Sequence, residues 1–392
     1  MLQNPFIIAG KIPEDYFCDR REETDKLCSH IINQRNVVLM SPRRMGKSGL
    51  IHHCFERNQI KESYKTLYID ILQSSSLQEF VFLFGKAVFE NLVSKTQLLI
   101  NNFFKIIKSL NGKFSVDPFT GLPLFNIMLG DITHPDITLK EIFTFIESFE
   151  GRCVIAFDEF QQIAKYPEKN VEAILRSYIS QTSNANFIFA GSERHLLGEM
   201  FESYNRPFYH SAMLMWLDPI PEKEYQEFAL KMFRTFKKKL NPQGFQEIYH
   251  LFGGVTFYIQ KTLNVAFSKT SKDQECGKEI LRDTILEILE DNSAYYREVL
   301  SNMPIRQKEL LYAIAIDENV ERITGAEFIR KHNLLSASSV QAAMKQMLER
   351  DYITCTEKRY RVTDKFLSLW IKQMYGPNHL PESSSYINLS GD

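Results

Sequence analysis

Nine residues near the N-terminus, Met40-Ser41-Pro42-Arg43-Arg44-Met45-Gly46-Lys47-Ser48, have the types and spacing to hold a phosphate group. They lie between a short apolar run, Val37-Val38-Leu39-Met40, and a segment opening Gly49-Leu50-Ile51 that reads as helical. Strand, small-residue turn, Gly-Lys-Ser and helix is the order of a phosphate-binding loop. Such a turn aims successive backbone N–H groups at phosphate oxygens, and the following helix adds unpaired amides and its positive end. Lys47 then reaches the β- and γ-phosphates, and the Ser48 hydroxyl ligates Mg2+. Ser41 stands where the motif has its first glycine, and serine does not reach a positive φ freely. The competing reading is a strand-to-helix turn that carries a lysine by chance.

A second candidate group follows a second apolar run. Arg152-Cys153-Val154-Ile155-Ala156-Phe157 has the pattern of a strand buried on both faces and ends in Asp158 and Glu159. Carboxylates there lie at the C-terminal edge of a sheet, where α/β folds bind ligands. Asp158 is suited to hold Mg2+ through water, and Glu159 to orient or deprotonate an attacking water. Alone, Asp-Glu could simply end a strand at a polar turn; behind the upstream loop, the two motifs support each other. A further strand over 186–192 ends at Gly191-Ser192, which puts Ser192 beside the γ-phosphate region as a reporter of phosphate state, or as an ordinary strand-end turn. Arg206, in Asn205-Arg206-Pro207-Phe208-Tyr209, is a candidate for neutralising transition-state charge, in cis or across a subunit contact. Its competing reading is a solvated surface arginine.

The elements that must position these residues alternate along the chain. Periodicity predicts helices over 22–34, 139–149 and 171–181, and strands over 65–71 and 213–217. Residues 76–110 carry apolar positions at helical spacing with a stripe of Phe80, Phe82, Phe84, Phe89, Phe103 and Phe104, a core stripe rather than a ligand site. Residues 112–136 read as a loop with short strands. Together these imply an α/β core with a mostly parallel sheet and helices on both faces. The Asp218-Pro219-Ile220-Pro221 break opens a helical region to about 298, interrupted by Gly253-Gly254 as a capping turn, which reads as a small lid.

The last third has the pattern of a winged helix-turn-helix. Helices are predicted over 305–315, over 325–332 with Thr324 as cap, and to Arg350 with Ser336 or Ser338 as cap. A hairpin over 352–362, turning at Glu357-Lys358, supplies the wing. Residues 301–375 hold 12 Lys and Arg against 9 Asp and Glu, a net +3 that is weak for a DNA binder. Ser338, Ser339, Gln341 and Lys345, with Lys358, Arg359 and Arg361 of the wing, are the residues that could reach DNA or a protein partner. The resulting division is a core over 1–218, a lid over 219–300, a winged helix over 301–375 and a disordered tail over 376–392.

Composition narrows the partners. A net charge of −1 gives no global case for nucleic acid or a membrane, so any such surface must be local. Six scattered cysteines without a C-x-x-C pair suit reduced thiols in a cytoplasmic protein. His52 and His53 are helical neighbours that do not share a face, so no metal is assigned to them. No stretch approaches a membrane span, and the 30 phenylalanines point to aromatic-rich cores.

Asn4-Pro5-Phe6, Phe17 with Arg20-Arg21-Glu22, Ser41-Pro-Arg-Arg-Met-Gly-Lys-Ser48, Phe157-Asp-Glu-Phe-Gln161, Gly191-Ser192, Arg206-Pro-Phe-Tyr209 and Gly253-Gly254 form one set. It resembles the AAA-related, STAND-like P-loop ATPases often called archaeal-type ATPases, which also occur in bacteria. The resemblance implies an AAA/ASCE-like P-loop NTPase core, a helical lid and a C-terminal winged helix. It implies that Ser41, Pro42, Arg43, Arg44, Met45, Gly46, Lys47, Ser48 and Gly49 cradle ATP·Mg2+, with Ser192 nearby. Ser48 and Asp158 become the metal residues, Glu159 the catalytic carboxylate, and Gln161 its companion. Thr256 stands where members carry a proline after the glycine pair, and His210-Ser211 where many carry Gly-Arg. The function implied is an ATP-hydrolysing switch, and a STAND-like core raises the prospect of ATP-driven homo-oligomers. A nucleotide-gated DNA-binding regulator with little hydrolysis, and a scaffold with structural nucleotide, are the alternatives.

Overall fold

Alternate residues of the central strands face opposite ways, and the two faces are built from different side chains. The computed structural model describes residues 4–93, 97–109, 115–116, 123–124, 127–356 and 358–376. Five strands form one sheet: β1 (Val37–Met40), β2 (Tyr64–Asp70), β3 (Arg152–Asp158), β4 (Ala185–Gly191) and β5 (Met213–Trp216). Their order is β2-β3-β4-β1-β5, and each neighbouring pair is parallel. Val37, Leu39, Val154, Ala156, Ile188 and Ala190 enter an aliphatic layer with Leu27, Ile31, Leu50 and Ile51. The intervening Val38, Met40, Ile155, Phe157, Phe187 and Phe189 enter a phenylalanine-rich layer. There Phe157 meets Phe80 and Phe84 at ring-centroid distances of 5.3 and 5.2 Å, and Phe160 meets Phe189 at 4.6 Å. Each such ring contributes about 1.5–3 kcal/mol by burial, and the edge and offset contacts add to it.

Helices Arg21–Ile32 and Lys47–Glu56 bury their apolar sides in the aliphatic layer, and Leu77–Val88 and Pro135–Ser148 in the aromatic one. Of the predicted stripe, Phe80, Phe84, Phe89 and Phe103 are buried and Phe82 packs against the same layer; the Phe104 side chain lies outside the described set. The helix predicted over 76–110 is broken by a π turn at Phe89–Val93. Phe84 and Phe89 are five residues apart, a spacing that a π turn can bring to one face. Within the loop predicted over 112–136, Ser115–Val116 pairs antiparallel with Pro123–Leu124. Residues 112–114, 117–122 and 125–126 lie outside the described residues.

The chain forms two compact units, Gly10–Pro219 and the described residues of Met1–Ala9 with Ile220–Asp392. In the second unit the N-terminal segment plugs a helical cluster. Phe6 is fully buried, its ring 5.5 Å from Phe233 and 5.8 Å from Phe267. Asn4 and Asn264 tie it down, Asn4 Nδ2 donating to the Asn264 carbonyl at 2.8 Å and Asn264 Nδ2 to the Phe6 carbonyl at 2.6 Å. Helix Pro242–Phe252 ends at Gly253 (φ 60°), and Thr256–Lys269 begins beyond it.

Helices Ile305–Asp317, Ala326–Lys331 and Ala337–Glu349 and the hairpin Ile353–Thr356 with Arg359–Val362 complete the winged helix. Ser336 caps the third helix by accepting from the Ser339 amide at 3.2 Å. Thr324 does not cap the second: the cap position is Gly325, and no side chain serves it. A fourth helix, Lys365–Tyr375, follows the wing, where the sequence predicted none. The expected tail beyond 376 lies outside the described residues. Among the described residues no helix is long and apolar enough to cross a membrane.

Candidate nucleotide site

The sheet brings the predicted groups to one edge by register. Met40 is level with Gly191 and Asp70 with Asp158, so the ends of β1, β2, β3 and β4 converge. The loop leaves β1 with the Ser41 amide donating to the Gly191 carbonyl at 3.4 Å and the Ser41 hydroxyl to the Pro42 carbonyl at 3.0 Å. Its left-handed turns fall at Arg44 (φ 68°) and Gly46 (φ 92°), not at Ser41. The missing first glycine therefore imposes no backbone strain, while Gly46 occupies a conformation that side chains resist.

Gly46 is the cap of helix Lys47–Glu56, with Gly49 in its first turn. Lys47 is buried, its ammonium donating to the Ser41 carbonyl at 3.4 Å. Burial pushes the Lys47 pKa down, with the Glu159 and Asp158 carboxylates resisting. Arg20, also buried, braces the loop from behind: its guanidinium donates to the Met45 carbonyl at 3.2 Å and the Asp218 carbonyl at 2.6 Å.

Asp158, at the end of β3, faces the loop. Its Oδ2 accepts from the Ser48 hydroxyl at 2.7 Å and from the Tyr68 phenol, and its Oδ1 accepts from the Glu159 amide at 3.0 Å. A hydroxyl and a carboxylate facing one another are hard oxygen donors, which fit a Mg2+ completed by substrate phosphates and water. Tyr68 is pushed to a higher pKa by burial and by Asp158, which keeps the phenol protonated as a donor. Burial also raises Asp70, with the Asp158 and Glu159 charges adding to it. His52 packs 4.5 Å from the Tyr68 ring, whereas His53 stacks on Phe17 at 3.9 Å, so the two histidines serve different contacts.

Glu159 is held in a left-handed conformation (φ 57°, ψ 41°), uncommon for a non-glycine residue. Its Oε2 accepts from Gln161 Nε2 at 2.6 Å and from the Ser192 hydroxyl at 2.7 Å. Arg43 Nε in turn donates to Ser192 at 3.4 Å, so loop, strand end and carboxylate form one chain of contacts. Gln161 is fully buried, and a Cβ at position 191 would stand 2.1 Å from its Oε1, so a side chain there would displace Gln161 from its present position.

Arg206 is not brought into this cluster. Its guanidinium pairs with Glu172 at 3.1 Å and Glu199 at 3.3 Å. Tyr68 and the bracing role of Arg20 are the contributors that the sequence did not announce. The available signals were a polar-tipped aromatic two residues before a strand end, and an arginine standing before the first helix.

Comparison with known proteins places this geometry. A family model described as an ATPase domain predominantly from Archaea matches residues 17–262, and one described as a probable winged helix domain matches 294–373. No curated protein matches by sequence. Among solved structures, a Walker-type ATPase of Pyrococcus abyssi superposes with a TM-score of 0.61 at 17% identity, covering 94% of this chain and 99% of that one. The Aeropyrum pernix ORC1 protein, solved in complex with DNA, gives 0.54 at 12% identity over 94% and 96%. The Aeropyrum pernix ORC2 protein, solved in ADPNP-ADP complexes, gives 0.54 at 13% over 94% and 97%. These likenesses show a shared P-loop NTPase fold with a winged helix. The sequence model reaches further, spanning more than half of the chain and the whole phosphate-loop and carboxylate constellation, and on it the chain belongs to the family of ATPase domains found predominantly in Archaea.

Proposed function

We propose that the chain hydrolyses ATP with Mg2+ and uses its nucleotide state as a conformational switch. The observation that carries this reading is the held Glu159 carboxylate beside the Ser48–Asp158 pair, because a loop that only binds needs no oriented carboxylate. Lys47 binds the β- and γ-phosphate oxygens, and the loop amides from Arg43 to Gly49 cradle them. Ser48 and Asp158 hold Mg2+, which when bound supplies neutralising charge at those phosphates. Glu159 orients the attacking water and takes its proton, while Ser192 and Gln161 fix the carboxylate. Ser192 also touches Arg43, which supports its role as reporter of the phosphate end. Arg206 can neutralise charge, in cis or in a neighbouring copy, only by leaving Glu172 and Glu199.

Phosphate release from wild type, Lys47→Ala and Glu159→Gln, with and without DNA, tests this reading. The expected result is turnover in the wild type, loss of binding in Lys47→Ala, and retained binding with about 10²–10⁴-fold lower turnover in Glu159→Gln. Wild type without turnover under any condition would sink the enzyme reading.

A second reading, a nucleotide-gated regulator on DNA, draws on the winged helix. Ser338, Gln341 and Lys345 are exposed on helix Ala337–Glu349, with Lys358 and Arg359 exposed on the wing. The ORC1 relative was solved with DNA. DNA-stimulated phosphate release, or salt-dependent DNA binding without turnover, favours this reading. ATP-driven association of copies belongs to the first proposal, and light scattering with ATP and with ADP reads it.

A further inference from the structure

Within the second unit, a cleft of about 200 Å3 lies between helix Pro242–Phe252 and the winged helix. Its walls include His250, Glu318, Asn319, Arg361, Lys365 and Ser368. Positive charge is in excess there. Arg361 and Lys365 face the cleft, Lys372 stands close by, and the nearest carboxylate, Glu318, is already ion-paired with Lys372. Arg361 donates through Nε to the neutral Asn319 side chain. The Lys365 backbone N–H donates to the Tyr258 hydroxyl at 3.0 Å, but among the described residues its ammonium has no hydrogen-bond or ion-pair partner. The other acids nearby are engaged elsewhere. Asp317 pairs with Lys331 and His332, Asp364 caps the Phe366 and Leu367 amides, and Glu222 faces His250.

Two further features set this cleft apart. Glu318 (φ 47°, ψ 160°) and Asn319 (φ 44°) both hold positive φ, and the Glu318 conformation is essentially a glycine one, so the corner carries strain at the cleft wall. Burial, with Arg361 and Lys372 nearby, also pushes the Lys365 pKa down against the pull of Glu318. A charged group left half-buried without a partner costs stability unless something compensates it. The volume is below the roughly 300–1,000 Å3 of pockets for drug-sized ligands. The space accommodates a tetrahedral oxyanion.

We propose that this cleft is a second anion site, separate from the phosphate loop, which binds a small phosphate-class oxyanion through Lys365, Arg361 and Ser368. The ligand is inorganic phosphate or the phosphate of a small ester. A bound anion offsets the repulsion between Arg361 and Lys365 and ties the wing strand to helix Lys365–Tyr375. The inference does not rest on ATP hydrolysis.

Calorimetric titration of inorganic phosphate into the full chain carrying Lys47→Ala, at matched ionic strength, isolates this site from the phosphate loop. One binding event is expected, weakened at least about tenfold by an added Lys365→Met and also by an added Arg361→Gln, which keeps a donor for Asn319. Removing an unpartnered ammonium should leave the melting temperature of the Lys365→Met chain unchanged or raised. Glycerol phosphate binding as tightly as phosphate identifies an ester site, and weaker binding identifies the free ion. No uptake at millimolar phosphate overturns the proposal, as does equal affinity in both added variants. Should Lys365→Met melt early, the Arg361→Gln titration decides alone.

Discussion

Lys47 illustrates how the site sets function against stability. Burial depresses its pKa, so between that lowered value and the ordinary 10.5 the unfolded chain binds more protons than the folded one. Stability therefore rises with pH across that window, and the full cost is present below it. Lys47→Met should raise the melting temperature, by about 2–4 °C for each kcal/mol in a domain of this size, while nucleotide no longer shifts it. Melting curves with and without ADP read both effects, and a lower melting temperature would show that the Asp158 and Glu159 charges outweigh the burial. Arg206 makes the opposite case. Burial raises the Glu172 pKa and Arg206 holds it down. Arg206→Ala should destabilise by about 1–3 kcal/mol near neutral pH, because a buried acceptor is left without its partner. The deficit should shrink as the pH falls and Glu172 takes up a proton. Urea unfolding at two pH values checks this, and a deficit independent of pH would assign the loss to packing.

At the scale of elements, the Asn4-Pro5-Phe6 segment acts as a plug of the helical cluster. Phe6→Ala should cost about 3–5 kcal/mol in the unit formed with Ile220–Asp392, as expected for a fully buried ring. Denaturant unfolding followed through that unit measures it, and a loss under about 1 kcal/mol would mean the segment is not anchored. The same segment marks the boundary of what local sequence can convey. The phosphate loop and the Asp158-Glu159 strand end were legible because each is a short junction whose chemistry is written in consecutive residues. Helix Val171–Gln181 was legible because one face repeats at helical spacing. Tyr68 on Asp158, Arg20 on Met45, Arg206 on Glu172 and Phe6 on Phe267 were not, since each joins residues far apart in the chain or on separate elements. The π turn after Val88 and the cap at Gly325 were missed for a local reason: propensity gives the helix and leaves its interruptions to packing.

On the scale of the whole molecule, the candidate nucleotide site lies entirely within Gly10–Pro219, while the winged helix and the anion cleft belong to the other unit. Nucleotide held by the first unit alone stabilises that unit, by about 2.7 kcal/mol at a hundred times Kd, and slows its amide exchange. A conformational switch requires more, because a ligand shifts an equilibrium only through a difference in its affinity for the two states. Hydrogen exchange with ADP and with a non-hydrolysable ATP analogue separates the cases. Both should protect residues 41–49 and 152–159, and the ATP analogue alone should also change exchange over 222–375. Identical footprints would leave an ATPase without a switch. A difference confined to 222–300 would separate the wing from the nucleotide state, and DNA or protein contact by residues 301–375 would then be constitutive rather than gated.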